Sequence, residues 1–372
     1  MVRACEDGIL LYPVYALLFA DAGLTTAQIS TLFMLWSVVA FAAEVPSGAW
    51  ADTWSRRSLY ALGAFLTAAG FLSWTIWQSY PGFALGFILW GLGGALGSGA
   101  LEALIYDELA ADGEEDRYAR VAGRAGTIAI LAQLGATLLA TPVFLLGGYE
   151  LLGWLSVVVA AAAGVVALGF HETSAAEEDD EDGYLKTLAA GLREVRRGRV
   201  VRWAVLISAM VYAFSGLDEY LPMVSRDTGV PTALVPVAFA VPSICMAAGS
   251  ALAGRWSTVG PRRLAAALAT AAALLAVGGL SGHVAGLAPI GVAFGLLQFA
   301  MVITETRLQD VTPSAVRATV LSVSGFATEV LTVGLYAFFG LGAAIAAVPV
   351  LFALAGLPVL ATAAVVATRL PK

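Results

Sequence analysis

The chain has 372 residues, 59% of them hydrophobic and 13% charged, with a mean hydropathy of +0.84 and a net charge of −7. Soluble domains average about 45–50% apolar and about 25% charged residues, so this composition excludes a single water-soluble core. Two cysteines, Cys5 and Cys245, offer no disulfide framework or metal-ligand spacing, and the two histidines, His171 and His283, stand apart, so no metal site is expected.

The apolar residues come in blocks of about 20, the length that crosses a bilayer as a helix. Twelve such spans are expected, near 7–23, 27–50, 57–77, 82–107, 118–144, 150–171, 200–224, 231–253, 262–281, 286–308, 315–341 and 346–368. The first, within MVRACEDGILLYPVYALLFADAG, follows one basic residue and two acids and lacks a clear cleavage site, so it is expected to be retained. The fourth carries Gly82, Gly86, Gly91, Gly93, Gly94, Gly97 and Gly99, which predict close helix contact rather than a phosphate loop. Runs such as WLSVVVAAAAGVVALGF do not alternate as barrel strands do. The fold class predicted is all-α: an integral membrane protein of twelve helices.

Between the sixth and seventh spans lies the longest polar stretch, 172–199. Its acidic run, EEDDED, reads as a solvated loop. In its second part, GYLKTLAAGLREVRRGR, Leu185, Leu188, Leu192 and Val195 fall at helical spacing, which suits an interfacial helix or a plain tether. The expected organisation is a six-helix bundle over 1–171, a linker over 172–199 and a second bundle over 200–372. In this arrangement every Lys and Arg except Arg226 falls on the side of the two termini. That sorting predicts cytoplasmic termini in a plasma-membrane protein.

The halves repeat at an offset of 206 residues. Gly48 lands on Gly254, Arg56 on Arg262, Arg57 on Arg263, Asp21 on Asp227 and Gly23 on Gly229. EALIYD at 102–107 echoes ETRLQD at 305–310. Two similarly oriented halves form a parallel repeat, the plan of many secondary transporters, with sites between the halves.

Gly48, Asp52, Arg56 and Arg57, spaced by small Ala51 and Ser55, resemble the signature between spans two and three of the major facilitator superfamily. GRWSTVGPRR at 254–263 resembles its second copy, with Gly254, Arg262 and Arg263 kept and Thr258 where the acid would stand. EVPSG at 44–48 and RATVLS at 317–322 resemble a drug- and metabolite-efflux branch. The resemblance implies alternating access by two six-helix bundles, with a proton gradient rather than a cofactor as the energy source. It places the signature acid near the start of span eleven, where Thr312 is expected to cap the helix and Pro313 to fill its first turn. An anion there gains about 0.3–1 kcal/mol from the helix dipole, so Asp52 is expected to be part of a gate. Glu44, Glu102, Asp107, Arg120, Arg124, Glu305, Arg307, Asp310 and Arg317 lie near the same ends of their spans and form a candidate charge latch. Interfacial charges reaching water are the competing reading.

Acids deeper in a bilayer are rarer. Glu329 lies about 14 residues into span eleven, roughly 21 Å along a helix. Asp218 and Glu219 are adjacent in span seven, a helix that the resemblance places along the central cavity. These three are candidates for proton coupling or contact with a cationic substrate; a buried hydrogen-bonded carboxyl is the alternative. Tyr12, Tyr15, Trp36, Trp90, Gln133, Tyr212 and Gln298 fall at similar depths, and an aromatic, weakly polar cavity suits a lipophilic organic molecule. The family pattern fails in two places: GFILWGLGGALGSG has no arginine within span four, and LGATLLATPVFLLGG lacks the Gly-Pro spacing of many exporters.

The function expected is proton-coupled export of small organic compounds. A symporter or uniporter importing a metabolite is the first alternative, and a non-transporting sensor or scaffold the second. No enzyme is expected, since no nucleophile–base pair or cofactor loop occurs. The expected partners are a small-molecule substrate and the bilayer, with no nucleic acid, and the protein is expected to be a monomer.

Overall fold

Apolar runs closed by glycine, proline or charge become helices throughout, and no strand occurs among the described residues. The structure is a computed structural model describing residues 2–371 apart from 98–99, 112, 115–116, 171–197, 257 and 314–315. The side chains at 45–46, 48–53, 102–103, 107, 119 and 318 also lie outside the description. The expected linker falls almost wholly outside it.

All twelve spans are present, though not as twelve continuous helices. The second is Thr26–Thr53 and the third Arg56–Ile76. The fourth is Tyr80–Gly97, continued by Ala100–Ala111. Spans five and six lie within Tyr118–Leu168 as two helices, divided where Gly147 and Gly148 leave helical geometry; Gly148 takes φ +59°. In the second half, spans eight to eleven are Val235–Arg255, Pro261–Leu280, Leu287–Val311 and Arg317–Gly342. The twelfth joins Val348–Leu354 to Gly356–Arg369.

The first and seventh spans are both interrupted. The first starts with the helix Val2–Asp7, earlier than its apolar run suggests, then breaks before the 3-10 turn Tyr12–Val14 and the helix Tyr15–Asp21. The early start is held by packing: Val2 is buried in a cluster with Tyr60, Ala61, Leu101 and Ala167. Consequently Arg3, Glu6 and Asp7 ride on the span instead of flanking it. At the break Pro13 has no N–H to offer, and the buried Leu11 N–H donates to Ser156 Oγ of span six at 3.0 Å. Membrane-embedded backbone must be satisfied internally, and here a side chain does so. The seventh span runs as Arg199–Tyr212, a 3-10 stretch Ala213–Tyr220 and the helix Leu221–Asp227, with Pro222 in the last helix's first turn.

Both interrupted spans end in the same turn. After the first, Ala22, Gly23 and Leu24 N–H groups donate to the carbonyls of Leu18, Ala20 and Phe19. After the seventh, Thr228, Gly229 and Val230 donate to Val224, Arg226 and Ser225, each number higher by the same 206. The glycines take φ +93° and +98°, a conformation that a β-carbon disfavours. The repeat read in the sequence is thus a repeat of hydrogen bonds.

Contacts divide the chain into two compact units, 1–24 with 32–184 and 25–31 with 185–372. In the first, spans three and four touch backbone to backbone: a β-carbon on Gly63 would lie 2.6 Å from the Gly93 carbonyl, and one on Gly70 2.7 Å from that of Gly86. Gly86 and Gly93 of the expected series thus serve contact with span three and Gly91 contact with span two, whereas a β-carbon on Gly94 would meet nothing within 4 Å. Beside it, Tyr15, Phe19, Phe71, Trp74, Phe83 and Phe87 form a buried aromatic core. In the second unit Gly249 and Gly295 join spans eight and ten in the same manner.

Thr312 closes span ten, its hydroxyl donating to the Leu308 carbonyl at 2.6 Å, and the helix of span eleven runs from Arg317. The cap expected of Thr312 concerns the N–H groups of residues 314 and 315, which lie outside the described residues.

Candidate functional site

The break in the first span opens a cavity of about 330 Å³ inside the first unit. Arg3, Glu6, Asp7 and Tyr12 reach it from span one, Tyr60 and Thr67 from span three, Trp90 from span four and Gln133 from span five. The volume is at the small end of ligand sites, about 300–1,000 Å³. Arg3 Nη1 pairs with Glu6 Oε2 at 3.1 Å, one helical turn apart. The buried Tyr60 hydroxyl faces Glu6 but stops short of a formed hydrogen bond. Tyr12 and Trp90 meet edge to face, 6.4 Å between ring centres, and supply an aromatic wall.

Three of the five polar and aromatic candidates of this unit therefore come together: Tyr12, Trp90 and Gln133. Tyr15 touches Tyr12 and Trp90, ring centres 5.7 and 6.3 Å away, but does not line the cavity. It is 3% exposed and stacks on Trp74, ring centres 5.4 Å apart, within the core. Trp36 leans on Trp90 from behind at 5.4 Å. Sequence reasoning missed Arg3, Glu6, Asp7 and Tyr60. The available signal was the i, i+3 spacing of Arg3 and Glu6 just ahead of Gly8 and Pro13, a charged turn beside a helix breaker.

In the second unit the interruption of span seven carries Asp218 and Glu219. Glu219, Asp218 and Glu329 of span eleven all stand within electrostatic reach of the buried Tyr336 hydroxyl. The three acids named as candidates from the sequence thus act on one buried tyrosine. Gly216 makes room, since a β-carbon there would lie 3.0 Å from the Tyr336 ring. Tyr220 stacks on Phe339, 3.8 Å between ring centres, and shares a 2.7 Å hydrogen bond with Ser30. Elsewhere in this unit the Tyr212 hydroxyl donates to Glu305, and Gln298 Nε2 donates to Ser250 Oγ at 3.1 Å.

Of the signature, Gly48 and Asp52 lie in the second helix with side chains outside the description, as do those of Glu102 and Asp107. Arg56 and Arg57 open the third helix, whose first turn is capped by Ser55 Oγ accepting from Ser58 N at 3.1 Å. Arg57 Nη1 donates to the Phe170 carbonyl at 2.9 Å, tying span three to the end of span six. Arg317 Nη2 donates to the Thr312 carbonyl at 3.4 Å, and Arg307 Nη2 to that of Val259, also at 3.4 Å. Glu44, Arg120, Arg124, Asp310, Gly254, Arg262 and Arg263 are exposed. Among the described residues no ion pair joins the latch candidates.

Two repeated six-helix halves, interrupted first spans and this signature define a class, and comparison agrees. The family model of the Major Facilitator Superfamily matches residues 7–333. The chain belongs to that superfamily, and is a multi-pass membrane transporter rather than an enzyme. No curated protein sequence matches it. The fold is similar to that of the nucleoside transporter NupG, with TM-score 0.75 and 13% identity, covering 98% of this chain and 96% of that one. An auto-inhibited POT family peptide transporter gives TM-score 0.73 and 14% identity over 100% and 96% of the two chains. A D-xylose-proton symporter gives 0.69 and 14% over 100% and 95%. At such identities the likeness concerns the fold.

Proposed function

We propose that this transporter couples proton entry to the export of small organic compounds. The observation that carries the reading is the siting of carboxylates at interruptions of the first span of each half: Glu6 and Asp7 in one, Asp218 and Glu219, with Glu329 nearby, in the other. Interrupted spans at matching positions of two repeats are the usual pointer to a transporter's sites. Charge held in a bilayer is costly unless paired or exchanged for a proton. Tyr12 and Trp90, with Gln133 alongside, suit a lipophilic compound bearing a cationic or neutral polar group. Export rests on EVPSG and RATVLS, and the cytoplasmic termini and plasma-membrane siting rest on the sorted arginines. A monomer using no cofactor suffices for this scheme.

A thermal-shift screen of the purified protein across cationic, neutral and anionic compounds tests it. Cationic and neutral lipophilic compounds should stabilise the protein and, in proteoliposomes, evoke proton movement. Stabilisation by anions alone, or binding without proton movement, would sink the reading. Import by proton symport is the second reading, favoured by the fold likeness to the D-xylose-proton symporter.

A further inference from the structure

The second copy of the signature sits at the mouth of a cavity that the transport reading leaves unused. Spans eight and nine each pack on span ten but barely on each other. Between them runs a cleft of about 570 Å³. Its floor is the close approach of spans eight and ten, where a β-carbon on Gly295 would lie 2.6 Å from the Cys245 carbonyl. Leu252, Ala267, Val292 and Phe299 make the walls apolar, and no described acid lines them. Leu252 and Val292 are 39% and 48% exposed, so the cleft is open along its side to the bilayer. Trp256, Thr258 and Arg263 stand at the mouth.

The mouth is where the two signature copies differ. Asp52 of the first copy corresponds to Thr258 of the second, while both arginines are kept. Loss of the acid leaves Arg262 and Arg263 exposed beside exposed Arg255, and their guanidinium groups have no partner among the described residues. Arg307 holds the loop by its bond to the Val259 carbonyl. An apolar slot opening sideways, with unpartnered arginines and a tryptophan at one end, matches an amphiphile with an anionic head.

We propose that this cleft binds one anionic phospholipid, an acyl chain lying between spans eight and nine and the phosphate on Arg263 and Thr258. The degenerate second signature is then a lipid-binding element in place of an ion-paired gate. The lipid is held outside both sites assigned to transport.

Native mass spectrometry of the purified chain in mixed micelles tests this with phosphatidylglycerol and phosphatidylcholine. Phosphatidylglycerol should be retained about five-fold better, the ratio expected of one arginine acting on an anionic headgroup. Arg263→Gln should erase that preference, whereas Arg226→Gln, at the opposite end of the bundle, should keep it. Ala267→Phe, which fills the slot, should reduce retention of both lipids. As a measurement on a fully folded chain, Cys245 in a Cys5→Ser background should react with a maleimide more slowly when phosphatidylglycerol is present. Equal retention of the two lipids, preference unchanged by Arg263→Gln, or Cys245 reactivity indifferent to phosphatidylglycerol would overturn the proposal. Displacement of the lipid by soluble glycerol phosphate would also overturn it, since the acyl chain would then contribute nothing.

Discussion

Glu6 and Asp7 lie on the last turn before a break in a membrane helix, and Arg3 pairs with Glu6. Glu6→Gln should leave the fold intact and abolish pH-dependent transport; unchanged pH dependence in vesicles would remove it from the coupling. The same test applies to Glu329→Gln in the second half. These residues also mark where the sequence was legible. Glu329, Asp218 and Glu219 stand out because they interrupt long apolar runs, and all three lie within electrostatic reach of Tyr336. Glu6 and Asp7 did not stand out, because Val2 draws the helix start back through tertiary packing that no local pattern reveals. Tyr60 and Tyr336 were illegible for the same reason, since a tyrosine in a span reads as packing until its neighbours are known. Asp52 keeps its proposed role in the gate: Asp52→Asn should stall transport while compounds still bind, and full transport by that variant would remove Asp52 from the gate.

Interruptions and contacts belong to whole helices. The third and fourth spans meet along Gly63, Gly70, Gly86 and Gly93; glycine spacing in span four foresaw Gly86 and Gly93, while their partners Gly63 and Gly70 went unnamed. Gly93→Ala would set a β-carbon 2.5 Å from the Gly63 carbonyl. The helices must then separate, at a cost of about 1–3 kcal/mol typical of overpacking, read as a lower melting temperature in detergent. Ser156→Ala acts on the broken first span by leaving the buried Leu11 N–H without its acceptor. The expected loss is about 1–3 kcal/mol, together with slower transport because the turn bearing Tyr12 is no longer pinned. A variant as stable and active as the parent would show that the break needs no such tie. The turn at Gly147 and Gly148 falls in the gap expected between the fifth and sixth spans, and both glycines leave helical geometry there.

Across the whole chain, the repeat was the most legible feature. It appears as matched residues in the sequence and as matched hydrogen bonds after Asp21 and Asp227 in the structure. Composition and periodicity sufficed for twelve helices because a bilayer admits few alternatives to them. In the proposed scheme cargo and direction are set by a few side chains at two interruptions, which local patterns describe poorly. Proton-driven export is therefore the claim to test, in proteoliposomes loaded with a compound from the thermal-shift screen and an internal pH dye. With the outside made acid, the compound should leave as protons enter, and both movements should vanish in Glu329→Gln. Compound drawn inward with the protons, or release indifferent to the gradient, would contradict the account.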